Sequence, residues 1–143
     1  MDKSALATFE KLLAAAVAAA EKAYAPYSNF RVGAALLFDD GKVSTGCNVE
    51  NLSYSLTICA ERTALVRAIA ENGSTRRIVA VVVTNLNDAS SPPCGACLQM
   101  LSEFVAPGAV VHFPTDTGMA QKAFKELLPF TFTDWKKEDD ARG

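Results

Sequence analysis

Three of the four cysteines constrain this chain more than any other feature. Cys59 stands 35 positions before Cys94, which pairs with Cys97, yet each begins an apolar run with helical spacing. Two helix starts aimed at one point would gather three thiolates, and the partial positive charge at a helix N-terminus favours that form. Any fold for this chain therefore has to bring two distant helix ends together.

Taken alone, Pro-Cys-Gly-Ala-Cys at 93 to 97 suits two chemistries. Placed after a strand and before a helix, it fits a thioredoxin-like redox pair as well as a metal site. Cys59 and Glu61, with the polar pair Asn48 and Glu50, break the tie, because a dithiol enzyme needs none of them. A closed four-cysteine structural zinc module would recruit Cys47. Strand alternation points Cys47 away from the face that Asn48 and Glu50 share, so it reads as a small buried apolar residue. His112, the single histidine, stands in the strand-like Val-Val-His-Phe and reads as structural.

The rest of the chain alternates strands and helices. Larger apolar residues from Leu6 to Tyr24 predict a helix over 4–25, stopped by Pro26. Strands are expected over 30–38 and 42–50, joined by the turn signal Asp39-Asp40-Gly41. A helix follows over 59–71, closed by Asn72-Gly73. Next come a β-branched strand over 78–84, a polar loop over 85–93 and a helix from Cys94 to about Val105. A short strand over 110–113 and a helix over 119–128 complete the pattern. No repeat or linker interrupts it, so 1–135 is expected to form a single α/β domain with a central sheet covered by helices. The tail includes Phe130, Phe132 and Trp135, and the charged end 136–143 is expected to be disordered.

Three protein ligands leave the fourth tetrahedral position of a zinc ion open. There a water can have its pKa lowered from about 15.7 toward ~7. Three thiolates and one zinc net to about minus one, a charge that Arg62 and the helix ends would offset. Glu61, two residues after Cys59, lies near such a metal without having to bind it and is placed for general acid and base work. Cys-x-Glu followed by Pro-Cys-x-x-Cys is the thiolate version of a known zinc deaminase signature.

The stretches YSNFRVGAAL (27–36), GCNVEN (46–51), CAERTA (59–64) and PCGACLQ (93–99) together resemble the small, homotetrameric, zinc-dependent cytidine deaminases. The resemblance implies a three-layer α/β/α sandwich with a mixed sheet, and zinc, one ion per subunit, on Cys59, Cys94 and Cys97. It implies that Glu61 carries the proton, that Asn48 and Glu50 bind the ribose hydroxyls, that Phe30 stacks on the base and that Ala60 adds a substrate contact. It also implies that Tyr54 and Phe132 reach a neighbouring subunit's pocket and that the substrates are cytidine and 2'-deoxycytidine. A modified cytosine nucleoside, such as a blasticidin-type antibiotic, is the alternative within the same chemistry. One departure stands out: relatives of this kind commonly carry arginine after the last zinc cysteine, where this chain has Leu98. Arg62 then stands alone among side chains in offsetting the thiolates, which predicts a higher pKa for the zinc-bound water.

The formal net charge of −2 and the absence of a Lys/Arg stripe argue against a nucleic-acid partner. The Ala-rich run 12–20 is too short to cross a bilayer. It also follows Asp2 and Glu10, where a secretory signal would be basic, so a cytoplasmic location is expected, where thiols stay reduced.

Overall fold

The computed structural model describes residues 1–133. The expected charged end, 136–143, and Trp135 lie outside the described residues. Five strands form one mixed sheet in the order β2-β1-β3-β4-β5. They are β1 (Val32–Phe38), β2 (Val43–Cys47), β3 (Ile78–Asn85), β4 (Val105–Thr115) and β5 (Gly118–Ala123). The helices are α1 (Lys3–Ala20), α2 (Ala60–Asn72), α3 (Gly95–Leu101) and the single turn α4 (Phe124–Leu127).

Alternation along the central strands splits the core into two layers. Ala35, Ala80 and Val82 face Leu12 and Ala16 of α1 on one side. Leu36, Val81, Val83 and Val111 face Ala64, Leu65 and Ala68 of α2 and Leu98 and Leu101 of α3 on the other. This is the expected three-layer α/β/α sandwich. β1 pairs antiparallel with both β2 and β3, whereas β3 and β4 run parallel, connected through α3. The expected crossover unit is therefore present.

Two glycines permit the close layer contacts. A Cβ added at Gly33 would lie 1.9 Å from the Ala16 carbonyl oxygen of α1, and one at Gly46 would lie 2.4 Å from the Ala64 nitrogen of α2. Only glycine lets these helix backbones rest directly on the sheet.

Near the C-terminus the chain departs from the helix expected over 119–128. Residues 119–123 form β5 rather than the start of a helix, and only one helical turn follows. Thr115 pairs with Gly118 across a two-residue turn, so Met119, Ala120 and Gln121 become an edge strand against β4. Pairing to a neighbouring strand overrides the helix propensity of Met, Ala, Gln and Lys here. The helix after Cys94 also ends early, at Leu101, and Val105 already belongs to β4. α1 stops at Ala20 rather than Ala25.

Candidate active site

Both expected helix starts are N-caps in the structure. Cys59 precedes α2 with extended backbone and makes no capping bond with its thiol, which stays available. Cys94 caps α3, where its sulfur accepts from the Cys97 N–H at 3.4 Å. The sheet registers these ends side by side, since α2 and α3 pack on the same face of β1, β3 and β4.

The Cys59 and Cys94 sulfurs are 4.0 Å apart and those of Cys94 and Cys97 3.3 Å. All three fall within 4.8 Å of one another. A tetrahedral zinc with bonds of about 2.3 Å needs sulfur separations of roughly 3.8 Å, so the cluster has the right size and donor type. Cys47 is not in that group. It is half-buried, rather than buried as expected, in a surface groove lined by Ala15, Ala19 and Thr63.

Charge around the cluster favours an anionic sulfur at Cys59. The Cys97 thiol hydrogen-bonds to Cys59, and with Arg62 it holds Cys59 below the ordinary thiol range, at about 5. Arg62 places Nη2 3.7 Å from the Cys59 sulfur. The hydrogen bond with Cys59, together with burial, pushes the Cys97 thiol in the opposite direction, above its ordinary range. Leu98 is buried in the apolar core beside Leu101 and Leu65, and the guanidinium found at the thiols among the described residues is that of Arg62.

Glu61, in the first turn of α2, is 4% exposed. Burial pushes its carboxyl up to about 7, and Oε2 lies 3.7 Å from the Cys97 sulfur. A carboxyl poised near neutrality can both take and release a proton under ordinary conditions.

A cavity of about 260 Å³ opens above this cluster, a size suited to one small molecule. Cys59, Ala60, Glu61 and Cys94 line it together with Ser28, Asn48, Glu50 and Tyr54, and Phe30, Val32 and Val83 add apolar walls. Asn48 donates from Nδ2 to the Phe30 carbonyl at 2.7 Å and accepts from the Val32 N–H at 2.9 Å, which fixes the amide. Glu50 accepts from the Tyr27 and Ser28 N–H groups at 3.0 and 3.2 Å and from the Ser28 hydroxyl at 2.5 Å. The Ser28 hydroxyl is the main cause that holds the Glu50 carboxyl below its usual range.

β2 ends at Cys47, yet Val49 continues extended pairing with Tyr24 and Ile58, so Asn48 and Glu50 keep a common face. Tyr54 lines its own chain's cavity, with its hydroxyl 3.5 Å from Glu50. Phe132 does not line it; it is 73% exposed, and its backbone is clamped by two hydrogen bonds to Gln99 on α3. His112 stacks on Phe9 of α1, ring centres 4.7 Å apart, and burial holds its pKa below the ordinary value, in line with a structural role. The sequence reading did not single out Ser28, Thr57, Ser91 and Pro92, which also line the cavity. Ser28 lies inside the motif at 27–36, but only the fold brings it to Glu50.

Comparison with known proteins agrees with this geometry. The family described as the cytidine and deoxycytidylate deaminase zinc-binding region matches residues 7–113. A cytidine deaminase of Halalkalibacterium halodurans is 46% identical over 125 residues, covering 87% of this chain and 93% of that protein. The crystal structure of a cytidine deaminase from Burkholderia pseudomallei superposes with a TM-score of 0.78 at 46% identity, covering 86% of this chain and 98% of the other. That from Mycobacterium tuberculosis gives 0.76 at 38% identity, with 87% and 97% covered. Likeness at this level along nearly the full length of the relatives, over a thiol cluster sized for zinc, settles the assignment: the chain belongs to the cytidine and deoxycytidylate deaminase family and holds zinc through Cys59, Cys94 and Cys97.

Proposed function

We propose that this chain hydrolyses cytidine and 2'-deoxycytidine to the corresponding uridines with release of ammonia, in the cytoplasm. The observation that carries this reading is a three-thiol cluster and a buried carboxyl beside a cavity that also presents an amide and a carboxylate. A redox dithiol has no use for Glu61 or the Asn48–Glu50 pair, and a structural zinc module has no use for the cavity.

When bound, zinc supplies the Lewis acidity that lets water act as a nucleophile near neutral pH. Asn48 and Glu50 orient the sugar, and Phe30 lies along the base. These contacts bring C4 of the pyrimidine to the thiol end beside Glu61. Glu61 takes the proton of the attacking water, delivers it to N3, and later returns a proton to the departing amine. The balance is one water consumed, and one uracil nucleoside and one ammonia formed. Ala60, at the first turn of α2, has a backbone N–H without a helical partner and is placed to meet the pyrimidine edge. Arg62 offsets the excess negative charge of three thiolates.

We further propose that subunits complete one another's pockets in a homotetramer. Leu52, Phe130 and Phe132 are 83%, 91% and 73% exposed, large apolar side chains that a neighbouring subunit would cover. Gln99 holds the Phe132 backbone in place while the exposed side chain lines no part of its own cavity, which supports its serving a neighbour.

Product analysis of zinc-loaded protein with cytidine tests the activity. Equimolar uridine and ammonia support it; bound zinc without release would turn attention to modified cytosine nucleosides. Light scattering tests the assembly, and a fully active monomer would overturn the shared pocket.

A further inference from the structure

We infer that Ser28 sets how much of the sugar this pocket reads: its hydroxyl fills one acceptor position on Glu50, leaving the Asn48–Glu50 pair able to satisfy one sugar hydroxyl rather than two. This rests on the nucleoside reading above and adds to it a residue that determines specificity.

A carboxylate accepts about four hydrogen bonds. On Glu50, Oε1 already takes two backbone N–H groups, from Tyr27 and Ser28, and Oε2 takes the Ser28 hydroxyl at 2.5 Å. The two N–H donors belong to one short turn and cannot be displaced without opening it, and the Ser28 hydroxyl, at 2.5 Å, is the shortest of the three contacts. The fourth donor is the Tyr54 hydroxyl at 3.5 Å, longer than the usual O–H···O range of about 2.5–3.0 Å. That long contact is the one that yields to a substrate. Ser28 itself is held, because its Oγ accepts from the Phe30 N–H at 3.0 Å while it donates to Glu50.

Asn48 is similarly committed. One N–H of its amide goes to the Phe30 carbonyl and its oxygen takes the Val32 N–H. What remains is one N–H on Asn48 and one acceptor position on Glu50. A single hydroxyl accepts from the first and donates to the second, and is then satisfied. A vicinal diol brings a second hydroxyl, for which there remains only a spare lone pair on the neutral Asn48 oxygen, an acceptor roughly half as strong as a carboxylate. Ribose and a deoxyribose that keeps the favoured hydroxyl are therefore nearly equivalent to this pocket.

The experiment is kcat/KM for cytidine, 2'-deoxycytidine and 3'-deoxycytidine on zinc-loaded wild type, Ser28→Ala and Ser28→Thr. In the wild type, loss of one of the two hydroxyls is expected to cost about 10- to 100-fold, and loss of the other less than about threefold. Ser28→Ala opens a second acceptor position on the Glu50 Oε2 atom, so the penalty for the tolerated deoxynucleoside should rise to about tenfold. Ser28→Thr keeps a hydroxyl and should keep the wild-type ratios. Each ratio compares substrates on the same preparation, so partial misfolding of a variant cancels. Penalties of tenfold or more for both deoxynucleosides in the wild type, or unchanged ratios in Ser28→Ala, would overturn the inference. Stoichiometric zinc without turnover of any of the three would overturn the reading of cytidine and 2'-deoxycytidine as substrates and this inference with it.

Discussion

Replacing Gly46 with alanine should damage chemistry and stability together, because the helix that carries Glu61 rests on that glycine. The new Cβ would sit 2.4 Å from the Ala64 nitrogen, 2.6 Å from the Ala60 carbonyl oxygen and 2.9 Å from the Ala64 Cα, all backbone of α2. Ordinary contact requires about 3.5 Å, so the helix must retreat by about 1 Å. Nothing there is a flexible side chain that could swing aside, and Ser44 also ties β2 to the Ala64 carbonyl at 2.8 Å. Overpacking of this kind costs about 1–3 kcal/mol. For a domain of this size that lowers the melting temperature by roughly 3–12 °C. The retreat also moves Cys59 and Glu61 relative to Cys94 and Cys97, and a misplacement of about 1 Å costs on the order of 100-fold in rate. The assay is kcat/KM with thermal unfolding and zinc content on the same preparation. Gly33→Ala is the control: its Cβ would meet Ala16 and Ala20 of α1, on the opposite face of the sheet. It should destabilise at least as much, while the molecules that remain folded keep turnover within a few fold. Gly46→Ala with normal kcat/KM and an unchanged melting temperature would refute the reasoning. An equal loss of turnover per folded molecule in Gly33→Ala would refute it too.

Three further outcomes follow from the same geometry. Glu61→Gln should keep stoichiometric zinc and lose about a hundredfold to ten-thousandfold in kcat, read by metal analysis and steady-state kinetics; near-normal turnover would remove Glu61 from the proton route. Cys47→Ser should leave zinc content unchanged and stability within about 0.5 kcal/mol, since Cys47 stands outside the thiol cluster. Burial depresses the His112 pKa, so the unfolded chain binds a proton near pH 6.5 that the folded chain takes up only at lower pH. The stability this group contributes is present above about pH 6.5 and is lost as pH falls from there toward the folded pKa. Denaturant midpoints at pH 7.5 and 5.5 should therefore differ less for His112→Gln than for wild type, the zinc site contributing equally to both; equal differences would contradict the assignment.

Much of the site was legible because its groups sit at local signals. Cys59 and Cys94 stand at helix starts, and Asn48 and Glu50 obey strand alternation even past the end of β2. The crossover from β3 to β4 followed from a β-branched strand, a helix and a second strand in succession. β5 was not legible, because Met119 to Ala123 consists largely of helix formers. Only its pairing with β4, across the Asp116-Thr117 turn and Gly118, makes it a strand. Gly33 and Gly46 lie inside recognisable motifs, but a glycine in a strand announces only that some backbone comes close. Which helix approaches depends on layers assembled from residues far away in the chain. The same holds for Ser28, whose partner Glu50 lies 22 positions on.

The central claim is that three thiols and one buried carboxyl form a zinc-dependent deaminating centre. Stripping the protein with a chelator and titrating zinc back, while following bound metal, uridine and ammonia in the same samples, tests it most directly. The account predicts that turnover rises in proportion to bound zinc, saturates at one ion per chain, and yields uridine and ammonia in equal amounts. Turnover independent of zinc, or one ion per chain with neither product formed, would contradict it.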